Sequence, residues 1–339
     1  MLTEFIPSIK LAQTPTPIQH LEKWSKKLGG PQIWIKRDDL TGIGLTGNKV
    51  RKLEVVVADA LKMGADTLIT CGGAQSNHAR TTAIVAAQLG LKCHLVLRDA
   101  HHTPLLKANL LLDKIVGATI HAVTRNEYAS SIDQIMSNLA EYLREEGAKP
   151  YIIPEGASNA LGAIGYYRAF METLSQLQSM RISMDAIVCA TGSGGTQAGL
   201  ILGKMVSGWQ GEIISFNVCD DEIFFLKKIG SILTEIDKLF GINCVVDKEA
   251  IKIIDGYVGP GYGKVSSREL EMITEFSRAE GIFLDPVYTG KAMVGLVDQI
   301  EKGRFDRSQN VLFLHTGGLY ELFAFEDEFE EYLNQKRAD

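Results

Sequence analysis

The stretch Thr46-Gly47-Asn48-Lys49-Val50-Arg51-Lys52-Leu53-Glu54 places a lysine at the start of an apolar helical pattern, directly after a glycine turn. The positive end of a helix lowers the pKa of a nearby amine, which favours a lysine that reacts as a nucleophile. Lys52 follows Lys49 by three residues, so the two side chains share one face of the predicted helix. An isolated lysine of this kind is usually a solvated surface residue, so its meaning depends on two further motifs.

The first of these motifs is the glycine-rich loop Thr191-Gly192-Ser193-Gly194-Gly195-Thr196, which follows the buried strand pattern Ala186–Ala190 and precedes an apolar helix. In a strand–loop–helix unit, backbone N–H groups and the helix N-terminus can bind an anion, and hydroxyl groups add donors. A nucleotide is not indicated, because Gln197 occupies the last glycine position of the dinucleotide fingerprint. The loop therefore predicts a phosphate site, with a plain tight turn as the structural alternative.

The second motif is Gln75-Ser76-Asn77-His78, a polar turn after the predicted strand Thr67–Cys71. Ser76 lies where a helix N-cap is expected, so capping alone would account for the motif. The functional alternative is a pocket in which Ser76 and neighbouring amides bind a substrate carboxylate. His78 fits a proton carrier, but a packed helix histidine is the simpler interpretation.

Apolar strand patterns alternate with helical patterns along almost the whole chain. Predicted strands are Ile33–Lys36, Thr67–Cys71, Cys93–Leu97, Thr119–Ala122, Tyr151–Ile153, Ala186–Ala190, Ile213–Val218 and Val311–His315. Predicted helices are Lys49–Met63, Asn77–Leu89, Leu105–Ile115, Ser131–Glu145, Leu161–Gln176, Thr196–Met205, Ser267–Arg278 and Gly290–Ile300, with two more around Phe224-Phe225 and over the acidic segment Glu326–Glu331. Short buried strands separated by helices predict an α/β fold of open, twisted, mostly parallel sheets flanked by helices. The strands exceed what one such sheet usually holds, so two domains are predicted.

The composition of the 339 residues is that of an ordinary globular protein, with 45% hydrophobic and 22% charged residues. A net charge of −6 does not favour nucleic acid or an anionic membrane as partner. The sequence contains no apolar run of the roughly 18 residues that a membrane span needs and no signal-peptide core, which predicts a cytoplasmic protein. The five cysteines, without a CxxC, predict reduced thiols, and the seven histidines lack metal-ligand spacing.

Taken together, the motifs resemble those of fold-type II pyridoxal phosphate (PLP) enzymes, and among them the 1-aminocyclopropane-1-carboxylate (ACC) deaminase and D-cysteine desulfhydrase family. The shared patterns follow the family order over most of the chain. They are Pro15-Thr16-Pro17, Ile35-Lys36-Arg37-Asp38-Asp39, Gly47–Glu54, Gln75-Ser76-Asn77-His78-Ala79-Arg80, Gly156-Ala157-Ser158-Asn159-Ala160-Leu161-Gly162, Thr191–Thr196, Pro260-Gly261-Tyr262-Gly263, Asp285-Pro286-Val287-Tyr288-Thr289-Gly290-Lys291 and His315-Thr316-Gly317-Gly318.

This resemblance implies a role for individual residues. Lys49 matches the lysine that holds PLP covalently, and Asn77 matches the residue that bonds the ring hydroxyl of PLP. The phosphate site is implied for Lys52, Thr191, Gly192, Ser193, Gly194, Gly195 and Thr196. Ser76 matches a catalytic serine that meets the substrate carboxylate, with Gln75, Asn77 and His78 as further substrate-binding candidates. Tyr262 and Tyr288 match two catalytic tyrosines that flank the substrate.

Two positions divide the family, and both are threonines here. ACC deaminases resemble one another in having Glu after the second tyrosine and Leu before the paired glycines, where this chain has Thr289 and Thr316. A carboxylate near the pyridine nitrogen of PLP would keep that nitrogen protonated and strengthen the electron sink. A threonine hydroxyl can only hydrogen-bond the nitrogen. The weaker sink suits elimination of a good leaving group such as thiolate better than opening of a cyclopropane.

The resemblance also implies the domain organisation and the reaction. A small domain of residues 49–161 would be inserted in a large domain of residues 1–48 plus 162–339, with PLP in the cleft between them and a homodimer as the assembly. The implied activity is β-elimination of D-cysteine to pyruvate, hydrogen sulfide and ammonia, with Lys49 or a Tyr288 tyrosinate as the base at Cα. The alternatives are an ACC deaminase, an L-cysteate sulfo-lyase, another amino-acid β-eliminase or racemase, and a PLP-binding module without catalysis.

Overall fold

The computed structural model describes residues 6–99, 106–242 and 248–338. Its strands are β1 (Ile18–His20), β2 (Gln32–Arg37), β3 (Thr67–Gly73), β4 (Lys92–Arg98), β5 (Thr119–Val123), β6 (Pro150–Ile152), β7 (Ala186–Thr191), β8 (Glu212–Asn217), β9 (Lys252–Ile254) and β10 (Asn310–His315). Its helices are α1 (Glu22–Leu28), α2 (Lys49–Lys62), α3 (Asn77–Leu89), α4 (Ala108–Ile115), α5 (Arg125–Glu145), α6 (Ala160–Met180), α7 (Gly195–Ser207), α8 (Glu222–Phe240), α9 (Ser267–Glu280), α10 (Thr289–Glu301), α11 (Leu319–Leu322) and α12 (Glu326–Ala338).

The predicted α/β class is confirmed, and each predicted strand and helix is present. Helix α3 has the predicted bounds, and most other elements have shifted ends. Helix α5 begins six residues earlier than predicted, at Arg125, because Thr124 and Glu127 form a capping box there. Helix α4 begins at Ala108, while Leu105, the predicted start, lies outside the described residues. The sequence patterns did not indicate α1, the four-residue helix α11 or the three-residue strands β1 and β9.

Two separate sheets organise the strands of the described chain. The larger has the order β1-β2-β10-β7-β8-β9, and all neighbours pair in parallel except β1 with β2. The smaller, with the order β5-β4-β3-β6, is parallel throughout. Strands between residues 67 and 152 form the smaller sheet, and strands on either side of that segment form the larger one. The exact domain limits at residues 49 and 161 stay a prediction.

Both sheets are covered by helices on two faces, as their apolar strand sequences require. In β7, Ile187 and Cys189 belong to one buried cluster, while Ala186, Val188 and Ala190 belong to the cluster on the opposite face. The smaller sheet shows the same alternation, with Leu68 and Ile69 in different clusters. This double burial explains why the strands are apolar at consecutive positions.

A buried ionic network fixes the start of α2. The guanidinium of Arg51 donates to both carboxylate oxygens of Asp38 at 2.8 Å and to Glu172 of α6 at 2.9 and 3.0 Å. Helix α6 also crosses α2 closely, because a Cβ at Gly165 would lie 2.1 Å from the carbonyl oxygen of Arg51. The first turn of α2 is therefore held by Asp38, which directly follows β2, and by contacts with α6.

Four cysteines lie in the described residues, and all are free thiols, as predicted for them. Cys71, Cys93 and Cys189 are buried, and Cys219 is half-buried. Cys244 lies outside the described residues. Across the described ranges, every helix is too short or too polar to cross a membrane.

Candidate active site

Lys49 is the first residue of α2 and lies where several strands of both sheets end. Two glycines with positive φ, Gly47 and Gly317, allow this: a Cβ on Gly317 would lie 2.5 Å from the Cα of Gly47. The adjoining segments are joined by a hydrogen bond from the amide of Asn48 to the carbonyl oxygen of Thr316, at 3.0 Å. The loop after β10 thus sets the position from which Lys49 projects.

The environment of Lys49 favours a reactive amine. Burial lowers the pKa of the Lys49 amine to about 8, although the carboxyl groups of Glu155, Glu321 and Asp285 act in the opposite direction. About a tenth of this amine is therefore unprotonated at pH 7, far more than for an ordinary lysine, and nucleophilic chemistry requires this form.

A narrow cavity brings together most of the residues that the sequence analysis assigned to cofactor binding. Its wall comes from the starts of α2, α3 and α7 and from the loops after β7 and β10. The lining residues are Asn48, Lys49, Asn77, Ala190, Thr191, Gly192, Ser193, Gly194, Thr196, Tyr288, Thr316 and Gly317.

The N-terminus of α7 closes one end of this cavity and forms an anion cradle. Gly195 begins the helix, and a Cβ there would lie 2.7 Å from the hydroxyl of Ser158 and 3.0 Å from the amine of Lys52. The cradle therefore tolerates only glycine at this position. Ser158 also donates to the hydroxyl of Ser193 at 2.8 Å, which ties the glycine-rich loop to the turn before α6.

Lys52 places a buried amine beside the cradle. Lys52 is 1% exposed, and its amine donates to the Gly156 carbonyl at 3.2 Å and to the Ser158 hydroxyl at 3.1 Å. Burial, and next the positive charge of Lys49, hold the pKa of the Lys52 amine well below its usual value. No carboxylate forms a salt bridge with it in the described part of the chain. A buried cation without an anionic partner is costly, so this cradle fits a phosphate group.

Asn77 begins α3 and lines the narrow cavity. Its side-chain oxygen accepts a hydrogen bond from Asn109 at 2.9 Å, and its side-chain nitrogen donates to Glu321 at 2.7 Å. The predicted ring contact of Asn77 is compatible with this placement in the cavity wall.

Tyr262 and Tyr288 lie together, as the sequence analysis expected of two residues that flank a substrate. Their phenol oxygens are 2.6 Å apart. Burial raises the pKa of both phenols above the usual value, so both stay protonated at neutral pH. Asp285 fixes Tyr288 from behind, because its carboxylate accepts hydrogen bonds from the backbone amides of Val287, Tyr288 and Thr289 at 2.7 to 2.9 Å.

The two threonines that divide the family occupy different positions. Thr316 lies in the cavity wall. Thr289 is fully buried, and its hydroxyl donates to Asp285 at 2.6 Å and accepts from the amide of Asp285 at 2.8 Å. Thr289 therefore supports the loop of Tyr288 and has its only O–H donor engaged.

A wider cleft of about 1090 Å³ adjoins the narrow cavity and shares Gly192 and Ser193 with it. Gln75, Tyr262 and Glu321 are among its lining residues. Arg98, at the end of β4, also lines it, and its guanidinium lies 4.8 Å from the ring centre of Tyr262.

The polar turn before α3 has one residue in the cleft wall and one in the protein core. Gln75 faces the wider cleft. Ser76 is the N-cap of α3, and its hydroxyl accepts from the amide of Ala79 at 3.2 Å. Ser76 is also buried and lines neither cavity. His78 is 2% exposed, bonds the Thr70 hydroxyl at 2.8 Å and is absent from the walls of both cavities, so its predicted substrate contact gains no support. Burial lowers the pKa of His78 well below its usual value, which keeps the ring neutral.

Several residues of the site were given no role in the sequence analysis. Three of them, Asn48, Ser158 and Asp285, lie inside motifs that the sequence analysis had recognised. Their membership of those motifs could have indicated a place in the site. Arg98, Asn109 and Glu321 carry no local signal, because only the tertiary fold brings them to the site.

Comparison with known proteins shows the class of this site. Residues 9–317 match the family described as pyridoxal-phosphate dependent enzyme. The chain therefore belongs to the family of PLP-dependent enzymes, and PLP is its cofactor. The buried lysine, the phosphate cradle with its unpaired cation and the threonine in the cavity wall all fit that cofactor.

Curated relatives narrow the comparison to one group of lyases. A Thermotoga maritima protein that carries the name ACC deaminase as a provisional assignment is 44% identical over 317 residues, which are 93% of this chain and 97% of the relative. The Arabidopsis thaliana mitochondrial protein named bifunctional D-cysteine desulfhydrase/ACC deaminase is 40% identical over 98% of this chain and 83% of its own length. The D-cysteine desulfhydrase of Serratia proteamaculans is 39% identical over 94% of this chain and 96% of its own.

A solved structure agrees with this grouping. The crystal structure of an ACC deaminase homologue matches with a TM-score of 0.90 and 38% identity, covering 98% of each chain. The predicted resemblance to fold-type II PLP enzymes is thereby confirmed, and the chain is placed in a PLP-dependent lyase family.

Proposed function

We propose that this protein catalyses the β-elimination of D-cysteine to pyruvate, hydrogen sulfide and ammonia. The observation that carries the proposal is the pair of protonated phenols, Tyr262 and Tyr288, 2.6 Å apart beside the lysine cavity. The pair offers a proton donor to a leaving group, which elimination needs. The names of two relatives support this substrate.

Lys49 is the proposed base at Cα. When bound, PLP supplies the electron sink that stabilises the electron pair left at Cα after proton removal. Lys49 would hold the cofactor through its amine, and this amine would be free once a substrate occupies the site. Its amine, with a pKa of about 8, can then accept the Cα proton near neutral pH. The Tyr288 tyrosinate alternative is disfavoured, because burial raises the pKa of that phenol.

The two tyrosines act on the sulfur side of the substrate. As the Cβ–S bond breaks, both electrons of that bond leave with the sulfur, and the electron pair left at Cα forms the Cα=Cβ double bond. A proton from Tyr262 or Tyr288 converts the departing sulfide ion into a neutral or singly charged product. The resulting 2-aminoacrylate takes up one water molecule to give pyruvate and ammonia, so no oxidant or reductant is needed.

The polar turn before α3 is the proposed carboxylate site. Backbone amides at the N-terminus of α3 and the hydroxyl of Ser76 offer donors to an anion. Gln75 lies in the adjoining cleft wall and can add a side-chain contact. Binding at this turn would fix the substrate on the Asn77 side of the cavity.

Thr316 favours elimination over ring opening. Its hydroxyl is the candidate partner of the ring nitrogen, since the Thr289 donor is engaged by Asp285. A hydroxyl partner leaves the sink weaker than a carboxylate would, which suits departure of thiolate more than opening of ACC.

Arg98 favours a second candidate, the elimination of sulfite from L-cysteate. Its guanidinium lies over Tyr262 at the cleft wall, and its nearest ion-pair contact, to Glu155, is 3.9 Å long. A sulfonate on the substrate Cβ would find a cation there.

A four-substrate assay tests the proposal. Purified holoenzyme is offered D-cysteine, L-cysteine, L-cysteate and ACC, and sulfide, sulfite, pyruvate and 2-oxobutyrate are measured. Pyruvate with sulfide from D-cysteine alone is expected. Sulfite from L-cysteate would select the second candidate, and 2-oxobutyrate from ACC would contradict the Thr316 argument.

The homodimer and the cytoplasmic location belong to the same proposal. Light scattering on the purified holoenzyme would test the assembly, with a mass of about twice 37.2 kDa as the expected result.

A further inference from the structure

Glu321 is a buried carboxyl group in the wall of the active-site cleft. It lies in α11, three residues after the Gly317-Gly318 turn, and is 3% exposed. Its Oε2 accepts a hydrogen bond from the Asn77 side-chain nitrogen at 2.7 Å. The proposed elimination gives this group no task.

A chain of hydrogen bonds fixes which end of the Asn77 amide meets Glu321. The Nδ2 of Asn109 donates to the backbone carbonyl of Gln75 at 2.8 Å, and a carbonyl can only accept. The same Nδ2 donates to the Oδ1 of Asn77 at 2.9 Å. The Oδ1 of Asn77 is thereby directed to Asn109, and the Nδ2 of Asn77 is directed to Glu321.

This orientation determines what Asn77 can offer to the cofactor. Its Nδ2 carries two hydrogens, of which Glu321 accepts one. The second hydrogen remains as a donor on a residue that lines the cofactor cavity. An amide turned the other way would present an acceptor oxygen there and repel an oxygen of the PLP ring.

We propose that Glu321 is a positioning residue of the cofactor site: with Asn109 it clamps the Asn77 amide so that an N–H, and not a C=O, faces PLP. The inference rests on the family's cofactor and on no particular substrate.

The surroundings of Glu321 agree with a clamp better than with an ion pair. Within the described residues, no lysine, arginine or histidine nitrogen makes a salt bridge with it. Burial, and next the charge of Asp285, raise the pKa of Glu321 well above its usual value. The titratable and charged groups that influence it or are influenced by it are Lys49, Arg80, Tyr262, Asp285, Tyr288 and Lys291. An acid in either protonation state keeps an oxygen that can accept from Asn77.

Three variants separate the clamp from general packing. Glu321→Gln keeps an acceptor oxygen, Glu321→Met keeps the volume without an acceptor, and Glu330→Ala changes an exposed glutamate of α12 as the control. For each, the apoprotein is titrated with PLP, and the dissociation constant and the visible absorbance of bound PLP are measured without any amino acid. Melting curves of the apoproteins check folding.

The expected result is a graded loss of PLP affinity. Glu321→Met should bind PLP roughly tenfold more weakly, the effect of one hydrogen bond, with a shifted absorbance maximum. Glu321→Gln should stay within about threefold of the parent, and Glu330→Ala should equal it. Unchanged affinity in Glu321→Met, or a loss in Glu321→Gln as large as that in Glu321→Met, would overturn the proposal. Inactivity toward D-cysteine would leave these outcomes unaffected, because no substrate is used.

Discussion

The phenol oxygens of Tyr262 and Tyr288 lie 2.6 Å apart, although 26 residues separate them in the chain. Tyr288 immediately precedes α10 and is held by Asp285, whereas Tyr262 comes from a turn under the guanidinium of Arg98. Two phenols so close cannot both ionise near neutral pH, so the pair holds protons that a leaving group can take.

Replacing either phenol by a phenyl ring should therefore remove proton donation without removing the cofactor. Tyr262→Phe and Tyr288→Phe are expected to lower kcat on D-cysteine about 10²-fold or more, with PLP binding retained. Steady-state kinetics together with the visible absorbance of bound PLP would measure this. The exposed Tyr142 gives a control in Tyr142→Phe, and full activity in both active-site variants would contradict the assignment.

The low pKa of Lys49 predicts how fast apoprotein takes up PLP at different pH values. Only the unprotonated amine reacts with the PLP aldehyde, so the uptake rate should rise with pH and level off above about pH 8. Stopped-flow absorbance would measure the uptake rate from about pH 6 to about pH 10. A rate that keeps rising tenfold per pH unit beyond about pH 9 would show an ordinary exposed lysine.

Lys52 should have opposite effects on the apoprotein and the holoprotein. Its pKa is lower in the folded chain than in the unfolded chain, so the charged amine destabilises the apoprotein below the unfolded pKa of about 10.4. Lys52→Met should therefore melt no lower than the parent as apoprotein at pH 7. It should also bind PLP roughly 10- to 100-fold more weakly, because a hydrogen bond to a charged group is lost.

Thermal melts with and without PLP would measure both effects of Lys52→Met. The exposed Lys62 gives a matched control, in which Lys62→Met should leave both melting temperatures unchanged. A Lys52→Met apoprotein that melts well below the parent would contradict the idea of an unpaired buried charge.

The Arg51–Asp38 pair should be the most costly ion pair to break. Removing one partner leaves a buried charge, so Asp38→Asn and Arg51→Met should each lower the free energy of unfolding by about 3–5 kcal/mol. The double variant should lose less than the sum of the two. The exposed pair Lys27–Glu275 serves as control, with an expected coupling of about 0–1 kcal/mol.

The same pair predicts acid sensitivity. Burial alone would raise the pKa of Asp38, but the guanidinium of Arg51 holds it below its usual value. A carboxyl with a depressed pKa stabilises the fold above its unfolded pKa of about 3.9, and this stabilisation disappears as the pH falls through the folded pKa. Asp38→Asn should therefore show a weaker dependence of stability on pH below about pH 4, measured by urea unfolding.

Much of the fold could be predicted from the sequence because the signals are local. The strand pattern of β7, the glycine loop and the helix start at Lys49 each lie within a few consecutive residues. The missed strands β1 and β9 have three residues each and contain the polar residues Gln19, His20 and Lys252, whereas the equally short β6 was indicated by the apolar run Tyr151–Ile153. Helix α1 has seven residues, and its N-cap position holds Leu21, which cannot supply a capping oxygen.

The site residues that lie in sequence motifs could be predicted. The residues that only long-range contacts bring to the site could not. The bond between Asn77 and Glu321 joins residues 244 positions apart, and no motif surrounds Glu321. Arg98 ends an ordinary strand, so its place beside Tyr262 follows only from the packing of the smaller sheet. Nothing in the sequence distinguished Thr289 from Thr316. Only the structure shows that Thr289 is engaged by Asp285, whereas Thr316 lies in the cavity wall.

The central claim, a covalent bond between Lys49 and PLP, can be tested by reducing the holoenzyme with borohydride and mapping its peptides by mass spectrometry. The account predicts that the phosphopyridoxyl group is found on Lys49, and that Lys49→Ala shows neither this modification nor turnover. A modified Lys52, another modified lysine, or an unmodified and still active Lys49→Ala protein would contradict it.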